Sequence, residues 1–218
     1  MPDAPVLAVR GEAHREVDPE IATIAATVSA RSADRQRALQ LLAERNNELR
    51  ELVDTFGEVI ERRETAGLWV YPDHSKKSSG ERIKGYVGNA TTNITVSDFT
   101  VLGDLVVALS EHEMTMVSGL GWGLRLDSPA YRDARHAALR DAVDRARQYA
   151  AALGVELVAL IELADAGLSG RSEPIVPLAF AAESFGGGPE LNLDPQRQRV
   201  YASVEARFRI TEPAIGSL

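Results

Sequence analysis

The chain predicts an α+β fold: a single, largely antiparallel sheet covered on one face by three helices, in the order ββαββαβαββ. Three observations carry this expectation. Several segments alternate apolar and polar residues with period two, and others repeat apolar or small residues at helical spacing. The clearest alternating segment, "RVYASVEARFRI", is charged or polar at every other position, which a strand buried on both faces would not be. The sheet therefore has one wet face and one face that the helices cover.

Val6 to Ala13 and Ile21 to Arg31 read as the opening strands, joined by the turn-prone "REVDPE". In the second, Ala22, Ile24, Ala26 and Val28 share one face, and Thr23, Thr27 and Ser29 share the other. From Asp34 to Phe56 the period changes: Ala38, Leu41, Leu42, Leu49, Leu52, Val53 and Phe56 mark a core-facing helix. Ser32 or Asp34 is placed to cap it, and Gly57 to stop it. Val59 to Tyr71 and Arg82 to Val96 form a strand pair around the polar "PDHSKKSSGE", and a shorter helix fits Asp98 to Ser110. Next comes a strand in which Met116, Leu120, Trp122, Leu124 and Leu126 occupy one parity. Thr115, Val117, Gly119, Gly121, Gly123 and Arg125 occupy the other.

Ser128 followed by Pro129 starts the longest helix, which runs to Leu153 and stops at Gly154. Ala134, Ala138, Ala142, Ala146 and Ala150 form a ladder along it, so its backbone can approach a neighbour closely. Val155 to Ala166 and Arg199 to Ile210 are the last strands. Between them, residues 167–196 hold four prolines and a triple glycine, which rule out a regular element. No internal repeat or domain boundary is visible, so residues 1–218 read as one domain with a long loop.

A net charge of -8 argues against nucleic acid or an anionic membrane as the main partner. The absence of cysteine excludes disulfides, thiolate catalysis and Cys-ligated zinc. Near the N-terminus, Asp3 precedes an apolar run that Arg10 interrupts, unlike a secretory signal, and no segment is apolar enough to span a bilayer. The expectation is a cytoplasmic protein.

The alternating glycines of "SGLGWGLRLDSPAYRDAR" raise the possibility of a phosphate loop. That loop needs glycine amides opening directly into a helix, whereas here "LRLDS" intervenes, Asp127 and Asp133 add negative charge, and no lysine is near. The stripe Gly119, Gly121 and Gly123 is instead a candidate interface. Either an apolar loop, of this chain or a neighbour, rests on it, or its glycines are simply tolerated under water. Ile175, Leu178, Phe180 and Phe185 in the long loop are too apolar for free solvation and are further interface candidates. Trp69, Tyr71, His74 and Tyr86 on the strand pair form a candidate ligand patch, against the plainer reading of an amphipathic hairpin with a solvated tip. The four histidines lack any metal-ligand spacing, and no acidic pair stands out, so no catalytic, cofactor or metal residue is assigned.

Several phrases in this order resemble the SIMPL-domain family, a bacterial group mostly of undefined function. They are "LAVRGEAHREVDPEIATIAATV", "GYVGNATTNITVSDFTVLGDLV", "VSGLGWGLRLDSPAYRDARHAALRDAVDRARQYAAALGV" and the closing "RVYASVEARFRI", which together cover nearly the whole chain. Asp18-Pro19-Glu20 replaces the usual Pro-Asp, Ala13 stands for a second glycine, and Trp122 for a common Phe. The resemblance implies an α+β domain prone to self-association, in some members into ring- or channel-like assemblies, with a link to stress tolerance in others. Many relatives are exported. The reading that follows is a non-enzymatic, cofactor-free protein that forms homo-oligomers. The alternatives are a small-molecule-binding or hydrolytic protein using a cleft at the 69–86 hairpin, or an adaptor for other proteins.

Overall fold

The computed structural model describes residues 4–74, 83–165 and 193–214. The strands are β1 (Val6–Val17), β2 (Ile21–Ser32), β3 (Ile60–His74), β4 (Ile83–Val96), β5 (Thr115–Gly123), β6 (Leu157–Asp165) and β7 (Gln198–Ile210). The helices are α1 (Arg35–Asp54), α2 (Leu102–Glu111) and α3 (Pro129–Ala152). Single-turn 3-10 helices at Gly57–Val59 and Phe99–Val101 add to the expected order.

The α+β class holds, but the expectation of one sheet does not. The strands form two antiparallel sheets, ordered β1-β7-β6 and β3-β4-β2-β5. Strands β1 and β2, adjacent in sequence, do not pair: β1 runs against β7 along its whole length, and β2 lies between β4 and β5. Alternation tells which side of a strand is apolar, but carries no record of which strand lies beside it. Where the sequence shows no boundary, the described chain forms two compact units. One contains β1, β6, β7 and α3; the other contains β2 to β5 with α1 and α2.

In the four-stranded unit, Ala22, Ile24, Ala26, Val28 and Ala30 of β2 are at most 1% exposed beneath both helices. Leu42, Leu49 and Val53 of α1 and Leu102, Leu105 and Leu109 of α2 complete that core. Asp34 rather than Ser32 caps α1, accepting from the Arg37 amide at 2.9 Å. The chain leaves α1 through Gly57, whose positive φ of 66° suits glycine.

The three-stranded unit is built on the alanine ladder. Ala134, Ala138, Ala142, Ala146 and Ala150 are all buried. Gly11 of β1 lies directly under the helix backbone: a Cβ built there would sit 2.1 Å from the Ala138 carbonyl oxygen and 2.4 Å from the Ala142 amide nitrogen. Asp141 fastens the same contact, accepting from the Glu12 amide at 2.9 Å and from Arg145 Nε at 2.8 Å. Beneath α3, Val200, Val204, Ala206, Phe208 and Ile210 of β7 are buried while Arg199, Tyr201, Arg207 and Arg209 point out. Helices thus cover one face within each unit.

Candidate functional site

The expected division of β5 into a bulky and a glycine parity is corrected by a bulge. Thr23 of β2 faces Gly121 while Ala25 faces Ser118, so Ile24 alone opposes Gly119 and Leu120. Gly119 has a φ of 68°, the left-handed conformation that such a bulge requires of its first residue. The extra residue reverses the alternation. Before it, Met116 is 61% exposed and Val117 packs on the core; after it, Leu120 and Trp122 turn inward. Trp122 is buried edge-on against Phe99, with ring centroids 4.8 Å apart. Leu126, expected on the bulky side, lies past the strand and is exposed.

Gly121 and Gly123 share the register of Thr23 and Ile21, on the face away from the helices. A Cβ at Gly121 would meet nothing within 4 Å. Of the three glycines in the stripe, only Gly119 therefore has a structural reason, and that reason is local.

The hairpin patch does not converge. Tyr71 pairs with Val87, and Trp69 with Asn89, which places both rings on the face away from the helices. Tyr86 pairs with Pro72 and Ser32 on the opposite face, so the strand pair separates it from them. His74 lies beyond a register shift at the end of β3 and is exposed. The Trp69 ring folds back over Gly67, where a Cβ would come within 2.4 Å of its Cζ3. Beside the two rings the sheet is polar and crossed by side-chain pairs. Ser29 Oγ donates to Asn89 Oδ1 at 2.7 Å, the Thr27 and Thr91 hydroxyls bond at 2.8 Å, and Arg31 pairs with Asp73.

Ile175, Leu178, Phe180 and Phe185 lie outside the described residues. An apolar surface missed by the sequence expectation lies on the strand that leads into that segment. Strand β6 ends its sheet, paired only with β7 among the described strands. Two bulges, at Val158 and Ile161, interrupt the pairing. Leu160 and Leu163 share a face with buried Phe208 and Ala206, yet Val158, Leu160, Ile161 and Leu163 are 49–55% exposed. An open depression of about 520 Å³ separates the start of β6 from the last turns of α3, with Phe208, Val143 and Ala150 in its lining. The signal was present in "ELVALIELAD": its apolar residues fall on both parities, unlike those of a half-buried strand.

Among the described residues, no group of three His, Asp or Glu side chains gathers to hold a metal ion. Asp98 has a lowered pKa: bonds from the Thr100 hydroxyl at 2.7 Å and amide at 2.9 Å hold it below its ordinary 3.8. It serves as a cap for the turn leading into α2, not as an acid facing a cleft.

The model of one family, SIMPL, a protein of unknown function (DUF541), matches residues 7–208. The chain is a member of the SIMPL family. No curated protein matches it. The match covers both compact units of this SIMPL protein, from β1 into β7, and so includes β6 and the bulged β5.

Proposed function

We propose that this SIMPL protein acts without catalysis, as a unit that assembles with further copies of itself through the β6 end of its three-stranded sheet. The observation that carries the reading is the half-exposed quartet Val158, Leu160, Ile161 and Leu163 on a strand whose outer edge has no strand partner among the described residues. A strand edge offers unpaired amides and carbonyls as a template for another chain, and native proteins usually blunt such edges with charge or proline. Here the edge carries Glu162 and Asp165 but also four large apolar side chains.

Magnitudes say what this surface can and cannot do alone. Completing the burial of four half-buried side chains contributes about 3–6 kcal/mol. Association costs an estimated 4–15 kcal/mol in lost freedom. Apolar burial by itself therefore falls short, and main-chain pairing along β6 or additional surface has to supply the rest. The experiment is light scattering coupled to size exclusion across micromolar concentrations, on the wild-type chain and on Ile161→Lys. Expected is a multimeric mass that falls towards one copy, about 23.6 kDa, in the variant. A wild-type monomer throughout the range overturns the proposal.

A further inference from the structure

On the helix-facing side of the four-stranded sheet, Arg50 of α1, Arg63 and Thr65 of β3 and Thr92 of β4 line a recess of about 330 Å³. The register builds it: Arg63 faces Ile94 and Thr65 faces Thr92, so both β3 side chains stand on the face over which α1 packs. Thr92 is only 3% exposed. Among the described residues, neither its hydroxyl, nor that of Thr65, nor the Arg50 guanidinium has a hydrogen-bond or ion-pair partner. These donors are free to turn towards a ligand in the recess.

Arg63 is held in place from one side. Its Nη1 donates to the Arg50 carbonyl at 3.0 Å and to Asp54 Oδ1 at 2.5 Å, leaving Nε and Nη2 to donate elsewhere. Asp54 is the acid paired with Arg63, so two guanidinium groups and one carboxylate leave the recess a net positive charge on a chain whose formal charge is -8. Guanidinium forks match the oxygens of phosphate or carboxylate. Two forks and two hydroxyls, approaching from a helix and two strands, offer more donors than the two oxygens of a carboxylate can use.

We propose that this recess binds a tetrahedral oxyanion of the phosphate class, either free or as the phosphate of a small molecule. The volume is at the lower end for small-molecule sites, which excludes a large ligand. The site lies on residues that take no part in the β6 surface, so it stands or falls independently of self-assembly.

The test is isothermal titration calorimetry with inorganic phosphate and, separately, glycerol 3-phosphate, at ionic strength matched with sodium chloride. The matching removes differences in electrostatic screening between the titrations. Four chains are compared: wild type, Arg50→Gln, Thr92→Val and, as a control, the α3 surface variant Arg132→Gln. Expected is saturable wild-type binding that weakens on the order of tenfold in Arg50→Gln and Thr92→Val, and is unchanged in Arg132→Gln. Tighter binding of glycerol 3-phosphate identifies an organic phosphate as the ligand class, and equal binding identifies the free ion. Absence of saturable heat with both probes, or equal affinity in Arg50→Gln and wild type, overturns the proposal. Arg50 is exposed on α1, so its variant decides the matter even where Thr92→Val fails to fold.

Discussion

Replacing Gly11 with alanine adds a single methyl group at the point where β1 and α3 come closest. That methyl would sit 2.1 Å from the Ala138 carbonyl oxygen, 2.4 Å from the Ala142 nitrogen and 2.7 Å from the Ala142 Cβ. Two of these are backbone atoms, so no side-chain rotation relieves the overlap, and α3 must lift from the sheet. Overpacking a tight core costs typically about 1–3 kcal/mol. Lifting α3 also weakens the bond from the Glu12 amide to Asp141, a charged acceptor, worth about 1.5–3 kcal/mol. The expected destabilisation is therefore about 3 kcal/mol or more, a large part of the roughly 5–15 kcal/mol that holds a typical domain. Urea unfolding followed by far-UV circular dichroism measures it, because α3 supplies 24 helical residues to the signal. A midpoint within experimental error of wild type would refute the close-packed β1–α3 contact.

The β5 glycines separate cleanly. Gly121→Ala should be neutral or stabilising by up to about 1 kcal/mol, because its new methyl meets open space and a strand glycine is entropically costly. Gly119→Ala, at a φ of 68°, should cost about 1–2 kcal/mol by the same unfolding assay, and equal effects would argue against the bulge. Asp98 gives a pH signature. Its folded pKa is lowered, so its contribution is complete above the ordinary 3.8 and is lost as pH falls through the folded value. Asp98→Asn should therefore flatten part of the acid limb of a stability profile below about pH 4, and an unchanged limb would show that the cap does not form.

How far the fold was legible follows from what periodicity encodes. The alternation of β2 and β7, the stripe of α1 and the alanine ladder of α3 each report which side of an element is buried, and each is met in the structure. Partner choice is another matter. Nothing in Val6–Val17 or Ile21–Ser32 says that the two strands belong to different sheets. Parity also fails wherever a bulge intervenes. One residue, Gly119, sends Met116 outward and brings Val117 in, and register alone puts Tyr86 on the opposite face from Trp69. The recess was invisible for a further reason: Arg50, Arg63 and Thr92 come from three elements whose proximity only the packed sheet creates. The β6 surface, by contrast, could be read from its unalternated apolar run.

Hydrogen exchange along β6, followed by mass spectrometry from low to high micromolar protein, tests most directly whether this strand is the meeting surface. Main-chain pairing between copies predicts that amides from Val158 to Leu163 gain protection as concentration rises, and that Ile161→Lys abolishes the gain. Exchange at those amides that stays the same at every concentration, in a sample whose mass shows assembly, would place the contact elsewhere and contradict the account.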